Sequence, residues 1–178
     1  MPDRHFSLFD TALGRCGVAW SEHGVTRVAL PDATDQALRA RLAPAVEAPP
    51  SAAIAGVIAQ ITSHVRGAPG ALEIIVLDMT GVPAFYREVY AAAREIPSGQ
   101  TVSYGALATR LGKPGGARAI GQAMGRNPFP IVVPCHRVLA ARQAAGGFSA
   151  HGGVATKARL LAAEGFTLAL QPDLPFSR

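Results

Sequence analysis

The five residues Gly112-Lys113-Pro114-Gly115-Gly116 rule out a long helix through the second half of the chain. Proline removes a helical donor and glycine gives the backbone left-handed freedom, so a helix on either side has to stop here. On one side Ser103 can cap a helix over Tyr104 to Leu111, and on the other a second helix runs from about Ala117 to Met124. Two short helices across a glycine-containing break form a helix-turn-helix pattern. The second carries Ala117, Arg118, Gly121, Gln122 and Gly125, small residues around one long cation. So little bulk lets the helix press into a groove with Arg118 as its probe, and equally lets another helix pack closely. The pattern alone allows both.

Arg126-Asn127-Pro128 closes this motif and leads into Ile131-Val132-Val133-Pro134-Cys135-His136-Arg137-Val138-Leu139. The apolar run reads as a buried strand that Pro134 must end or kink, since proline donates no ladder hydrogen bond. Cys135 therefore sits at a forced break. A thiol near its reference pKa is only a few per cent thiolate at neutral pH, so chemistry there needs a neighbouring base or cation. His136 and Arg137 are the candidates. Neighbouring side chains in a straight strand face opposite ways, so His136 reaches the thiol only across a turn or through a water. A buried structural cysteine beside a surface histidine is the plainer alternative. Further on, Gly146 to Gly153 reads as a polar loop and Thr156 to Ala163 as a basic helix ending at Glu164-Gly165. A carboxylate at a helix C-terminus meets the negative end of the dipole, which suggests either a specific partner such as His136 or simple solvation.

The first half reads as a small α+β unit without a convergent polar cluster. Phe6 to Leu30 alternates as an antiparallel hairpin or meander, and Asp32 can cap a helix to about Leu42. A proline-rich connection follows. Ser51 then caps a helix in which Ile54, Val57, Ile58, Ile61 and Val65 recur at helical spacing, with Gly67 as its stop. Leu72 to Leu77 reads as a short buried strand, and Thr80 or Gly81 opens a helix to about Glu95. Cys16 is most simply a strand residue, and His5, His23 and His64 show no ligand spacing with it, so no metal is expected. Two cysteines are too few for a disulfide framework and fit a reducing cytosol; the N-terminus is no secretory signal, and no run reaches membrane-spanning length. Lysine and arginine exceed acidic residues by 17 to 12, a net charge of +5, which makes nucleic acid the first partner to consider.

The residues Val133-Pro134-Cys135-His136-Arg137-Val138-Leu139 resemble the active-site signature of the methylated-DNA-protein-cysteine methyltransferases, which repair guanine alkylated at its exocyclic oxygen. The resemblance extends over Ile96 to Tyr104, Ala117 to Gly121, Arg126-Asn127-Pro128 and Leu160 to Gly165, in the family's order. It implies an α/β (α+β) fold: an N-terminal ribonuclease H-like α/β domain over 1–79, and a mostly helical DNA-binding alkyltransferase domain over 80–178. Cys135 would take the alkyl group irreversibly from guanine, less readily from thymine. His136 would accept the thiol proton through a water, oriented by Glu164, and Tyr104 would donate to the departing guanine. Arg118 would fill the hole left by the flipped nucleotide, and Asn127 would brace the segment joining the docking helix to the active site. Ala117, Gly121, Gln122, Arg126 and Arg137 would meet DNA from the minor-groove side. The base would be read around Val138, Phe148 and Ser149.

Those roles imply a cytoplasmic monomer without cofactor or metal, acting on double-stranded DNA. They also imply a Cys135 pKa below the reference and a His136 pKa above it. Phe148 stands where many relatives have tyrosine, and Ala150-His151 lengthens the loop, which bears on pocket size. Two other classes remain in view. A cysteine hydrolase with a Cys135, His136 and Glu164 triad would turn over and need an oxyanion hole; a lesion sensor would lack the nucleophile.

Overall fold

A computed structural model describes residues 4–68 and 70–168. Strands β1 (His5–Thr11), β2 (Gly14–Ser21) and β3 (Gly24–Ala29) form an antiparallel meander. Gly24 makes the second turn possible: its φ is +136°, and a Cβ there would lie 2.6 Å from the Val76 carbonyl oxygen. The proline-rich connection yields strand β4 (Val46–Glu47), parallel to β1, giving the order β3-β2-β1-β4.

Helix α1 (Asp35–Leu42) is capped by Thr34, whose Oγ1 accepts from Ala37 N at 3.1 Å. Asp32, the expected cap, instead accepts from Ala33 N and pairs with Arg41. Helix α2 (Ala52–Val65) has Ser51 as its cap and Gly67 in the left-handed region after it. Leu72 to Leu77 does not form the expected strand. A 3₁₀ turn occupies Leu72–Ile74, and only Leu77 bridges to Val25. The Arg94 guanidinium donates to the Leu72, Glu73 and Ile75 carbonyls at 2.7–3.0 Å, withdrawing them from any ladder.

Helix α3 (Ala84–Arg94) begins after Pro83 rather than at Thr80 or Gly81, because proline pushes the residue before it out of helical conformation. Helices α4 (Tyr104–Arg110) and α5 (Ala117–Gly125) follow, with Ser103 capping α4. Strand β5 (Val102–Ser103) pairs in parallel with β6 (Val138–Leu139), and helix α6 (Gly153–Ala163) completes the described chain.

The largest apolar core draws on both halves, joining Val18, Val25 and Ile61 to Tyr90, Ile120 and Phe129. Tyr90 is fully buried and donates its hydroxyl to the Ala123 carbonyl at 2.9 Å, tying α3 to α5. Among the described residues, no helix is long and apolar enough to cross a membrane.

Candidate active site

Ile131 to Val133 is not the expected strand. It is a turn in which Ile131 takes φ +73°, a strained value for a β-branched residue, and Val133 N donates back to Phe129 O at 2.7 Å. Asn127 holds the turn from inside, its Nδ2 donating to Val133 O and its Oδ1 accepting from Phe129 N, both at 2.9 Å. Pro134 then releases the chain into a 3₁₀ turn over Cys135–Arg137. The 3₁₀ turn sends Cys135, His136 and Arg137 in different directions.

Cys135 opens onto a cavity of about 450 Å³ lined by Tyr104, Gly121, Met124, Gly147, Phe148 and Ser149. Cys135 as a residue is 7% exposed. Burial pushes the thiol's pKa up, against the lowering effects of the Asn127 side chain, the Lys157 charge and the backbone N–H groups of Cys135 and His136. His136 lies on the other side of the turn, fully buried, with Nε2 2.8 Å from Glu164 Oε1. Burial lowers its pKa and the Glu164 carboxylate raises it, while Arg137 and His64 lower it again; the net direction is down. The expected thiolate and imidazolium pair is thus not the resting state, because both groups lose solvation and Arg137 already balances the carboxylate.

Glu164 is 1% exposed in its side chain and sits where α6 ends against Gly165. Burial raises its pKa, but hydrogen bonds from His136, His64 and Arg137 win and hold it well below the usual carboxylate range. An ionised Glu164 accepts only, so His136 Nε2 carries the hydrogen and Nδ1 is left as an acceptor. That Nδ1 is buried and has no partner among the described residues. Arg137 corrects the expectation of a DNA-contacting cation. It is 7% exposed, donates to Glu164 from Nε and Nη2 at 2.7–3.1 Å, and reaches the Ile96 carbonyl with Nη1. The carboxylate captures the guanidinium before it can reach the surface.

Ligand atoms of His64, His136 and Glu164 lie within 4.8 Å of one another. Both Nε2 atoms already engage the carboxylate and the Arg137 charge sits on it, so these residues do not suit a metal ion. On α5, Arg118, Gln122, Gly125 and Arg126 are exposed while Ile120, Ala123 and Met124 are buried. Ala117 and Gly121 are half-buried beside that exposed face. Gly121 and Gly125 have open space where a side chain would be.

Residues 84–166 match the family model described as 6-O-methylguanine DNA methyltransferase, DNA binding domain. A methylated-DNA–protein-cysteine methyltransferase of Salmonella typhimurium is 52% identical over 89 residues; that match covers 50% of this chain and 51% of the relative, about half of its length. One from Methanothermobacter thermautotrophicus is 35% identical over 152 residues, covering 85% of this chain and 80% of the relative. The chain belongs to the methylated-DNA–protein-cysteine methyltransferase family. A crystal structure of Mycobacterium tuberculosis OGT in complex with DNA has a TM-score of 0.75 at 30% identity, covering 93% of this chain and 96% of that one. The small sheet unit followed by a helical unit is therefore the architecture of solved family members.

Two residues of this methyltransferase-family site were not singled out in the sequence. Lys157 is fully buried, donates Nζ to Val138 O at 2.8 Å and lies 5.9 Å from the Tyr104 ring centroid. Burial lowers its pKa to about 8, with the Cys135 charge acting against that. His64, noted in the sequence only for lacking ligand spacing with Cys16, is 5% exposed and places Nε2 2.8 Å from Glu164 Oε1. A signal for each was present. Lys157, Leu160, Leu161 and Glu164 fall on one helical stripe, and His64 follows Ile61 by three residues on the apolar face of α2. A charge on an apolar stripe marks a buried partner. Tyr104 is half-buried, and burial raises its pKa, with the Cys135 charge adding to the rise.

Proposed function

We propose that this protein reverses alkylation of DNA directly, moving a methyl or other alkyl group from the exocyclic oxygen of guanine to Cys135 Sγ, once per molecule. The observation that carries the reading is the free Nδ1 of His136, a buried acceptor held in that tautomer by Glu164 one residue from a thiol that faces a cavity. The cavity fits the need for a base to leave the stack before its alkyl carbon can meet a side chain. The thiol proton passes through a bridging water to His136 Nδ1. Sulfur then attacks the alkyl carbon, an S–C bond forms, and the C–O bond breaks with its electron pair staying on guanine. Tyr104 gives its hydroxyl proton to that leaving group, and the imidazolium proton passes through water to the Tyr104 phenolate, so that guanine, Tyr104 and His136 all end neutral.

Asn127 is the brace: its two backbone hydrogen bonds fix the turn before the nucleophile, and its side chain lies at the sulfur. The Lys157 charge favours the thiolate as well. Phe148 and Ser149 line the pocket wall and would receive the flipped base, with Val138 buried three residues past the nucleophile. On α5 the small Ala117, Gly121 and Gly125 let the helix lie close in the minor groove, with Arg118 entering the vacated stack and Gln122 and Arg126 beside it. We assign 1–79 and 80–178 as the two domains, and a cytoplasmic monomer as the working form.

Purified protein is incubated with an excess of oligonucleotide bearing a methylated guanine oxygen, and the intact mass is read. A gain that stops at one methyl group, absent in Cys135→Ser, is the expected result. Repeated turnover without mass gain favours the hydrolase instead.

A further inference from the structure

The first half of the chain reaches the catalytic carboxylate through one side chain. His64, near the C-terminal end of α2, and His136, beside the nucleophile, place their Nε2 atoms at the same 2.8 Å from the same oxygen, Glu164 Oε1. Arg137 Nη2 takes that oxygen too, at 2.7 Å, and Gly99 N donates to Oε2 at 3.3 Å. Both imidazoles are buried, so neither hydrogen bond is shared with bulk water. His64 also faces a second cavity of about 640 Å³, on the side away from Cys135, whose lining includes Arg94, Glu73, Arg137 and Glu164.

We propose that His64 is a positioning residue that tempers the base: by donating to the oxygen that receives His136 Nε2–H, it limits how strongly Glu164 can draw a proton onto His136. A carboxylate oxygen has a fixed capacity to accept. Each added donor spreads its negative charge and weakens the pull on the others. With Arg137 neutralising the carboxylate and His64 occupying more of Oε1, His136 stays neutral and the thiol keeps its proton until substrate is in place. For a nucleophile that works once, this restraint protects against spending sulfur on stray electrophiles. The groups that set the balance are His64 from α2, His136 and Arg137 from the 3₁₀ turn, Glu164 at the end of α6, Arg94 and Glu73 across the second cavity, and Lys157 beyond the thiol.

The inference rests on the alkyl-transfer reading, and the test separates the two. Single-turnover transfer from a methylated-guanine oligonucleotide is followed by intact mass across pH in wild type, His64→Phe, His64→Met and His64→Gln. Phenylalanine and methionine remove the donor while filling the space, and methionine's flexibility covers the case in which phenylalanine does not fold. Losing one hydrogen bond from Oε1 makes His136 a stronger base, so the acid limb of the rate profile should move up by about 0.5 to 1 pH unit while transfer above it becomes about three- to tenfold faster. His64→Gln restores an N–H donor and should bring the midpoint back toward wild type. A rate change equal at every pH, or a midpoint that falls, overturns the tempering role. Absence of transfer in the wild type instead sinks the alkyl-transfer reading itself.

Discussion

Lys157 holds a charge in the interior, and that leaves a signature in the pH dependence of stability. Its amine gives up its proton at about 8 in the folded protein, against 10.5 ordinarily. Between those values the unfolded chain binds more protons than the native one, so this group makes stability rise with pH across the window. The difference between wild type and Lys157→Met in urea unfolding should therefore grow from pH 8 toward 10.5, by at most about 1.4 kcal/mol per pH unit. A flat difference would put the amine in water. Glu164 has the same sign in an acid window: its depressed pKa gives stability that is complete above the ordinary value of 4.5 and is lost as pH falls further. Glu164→Gln should lose that acid dependence, and, by leaving the Arg137 charge buried and unpaired, should destabilise by roughly 3–5 kcal/mol in the same measurement at neutral pH. What the sequence displayed here was the chemistry of Cys135, His136 and Glu164. It did not display Arg137's destination, because a basic residue beside a DNA-docking motif reads as a phosphate contact until the buried carboxylate is located.

Helix α5 offers the clearest separation of stability from function among the elements. Gly121 sits inside the helix with nothing near the place of a Cβ, so Gly121→Ala should stabilise the fold by about 0.5–1 kcal/mol, read by urea unfolding. Gly121 also lines the cavity at Cys135, so a larger residue there, Gly121→Val, should slow transfer of a benzyl group more than transfer of methyl. Equal slowing would move the pocket's limit elsewhere. Arg118→Ala should slow repair in duplex DNA far more than reaction with free alkylated guanine base, since only the duplex has a vacated stack to fill. The caps and breaks around α2, α4 and α5 were legible because Ser51, Ser103 and the Gly112 to Gly116 break act locally. Two apolar runs were not. Leu72 to Leu77 lost its ladder to the Arg94 side chain 19 to 22 residues away, and Ile131 to Val133 was folded into a turn by Asn127. Periodicity carries no record of such side-chain capture.

At the scale of the molecule, the sheet unit is built into the working site. His64 bonds Glu164, Arg159 donates to the Ala12 and Leu13 carbonyls at 2.8 and 3.2 Å, and the main core crosses from one half to the other. A chain trimmed to 80–178 would expose the core face of Val89, Ala93 and Ile96 and lose the His64 contact. It should unfold at markedly lower urea than the full protein and show a less cooperative transition; unchanged cooperativity would argue for two independent units. The meander raises a separate question, because a strand at the margin of a sheet ordinarily offers unpaired amides to any passing chain. On β3 those amides are occupied from within: Val25 N donates to Val76 O at 2.9 Å, Asp78 N to Val25 O at 2.8 Å, and Val28 N to Pro128 O at 2.9 Å. The irregular stretch around Val76 and the turn before Cys135 thus act as a selvedge that keeps the β3 margin from being extended by a neighbour. If each copy works once, as proposed, the protein has to be made in as many copies as there are lesions, and an occupied β3 margin keeps that side of each copy's sheet from pairing with the next.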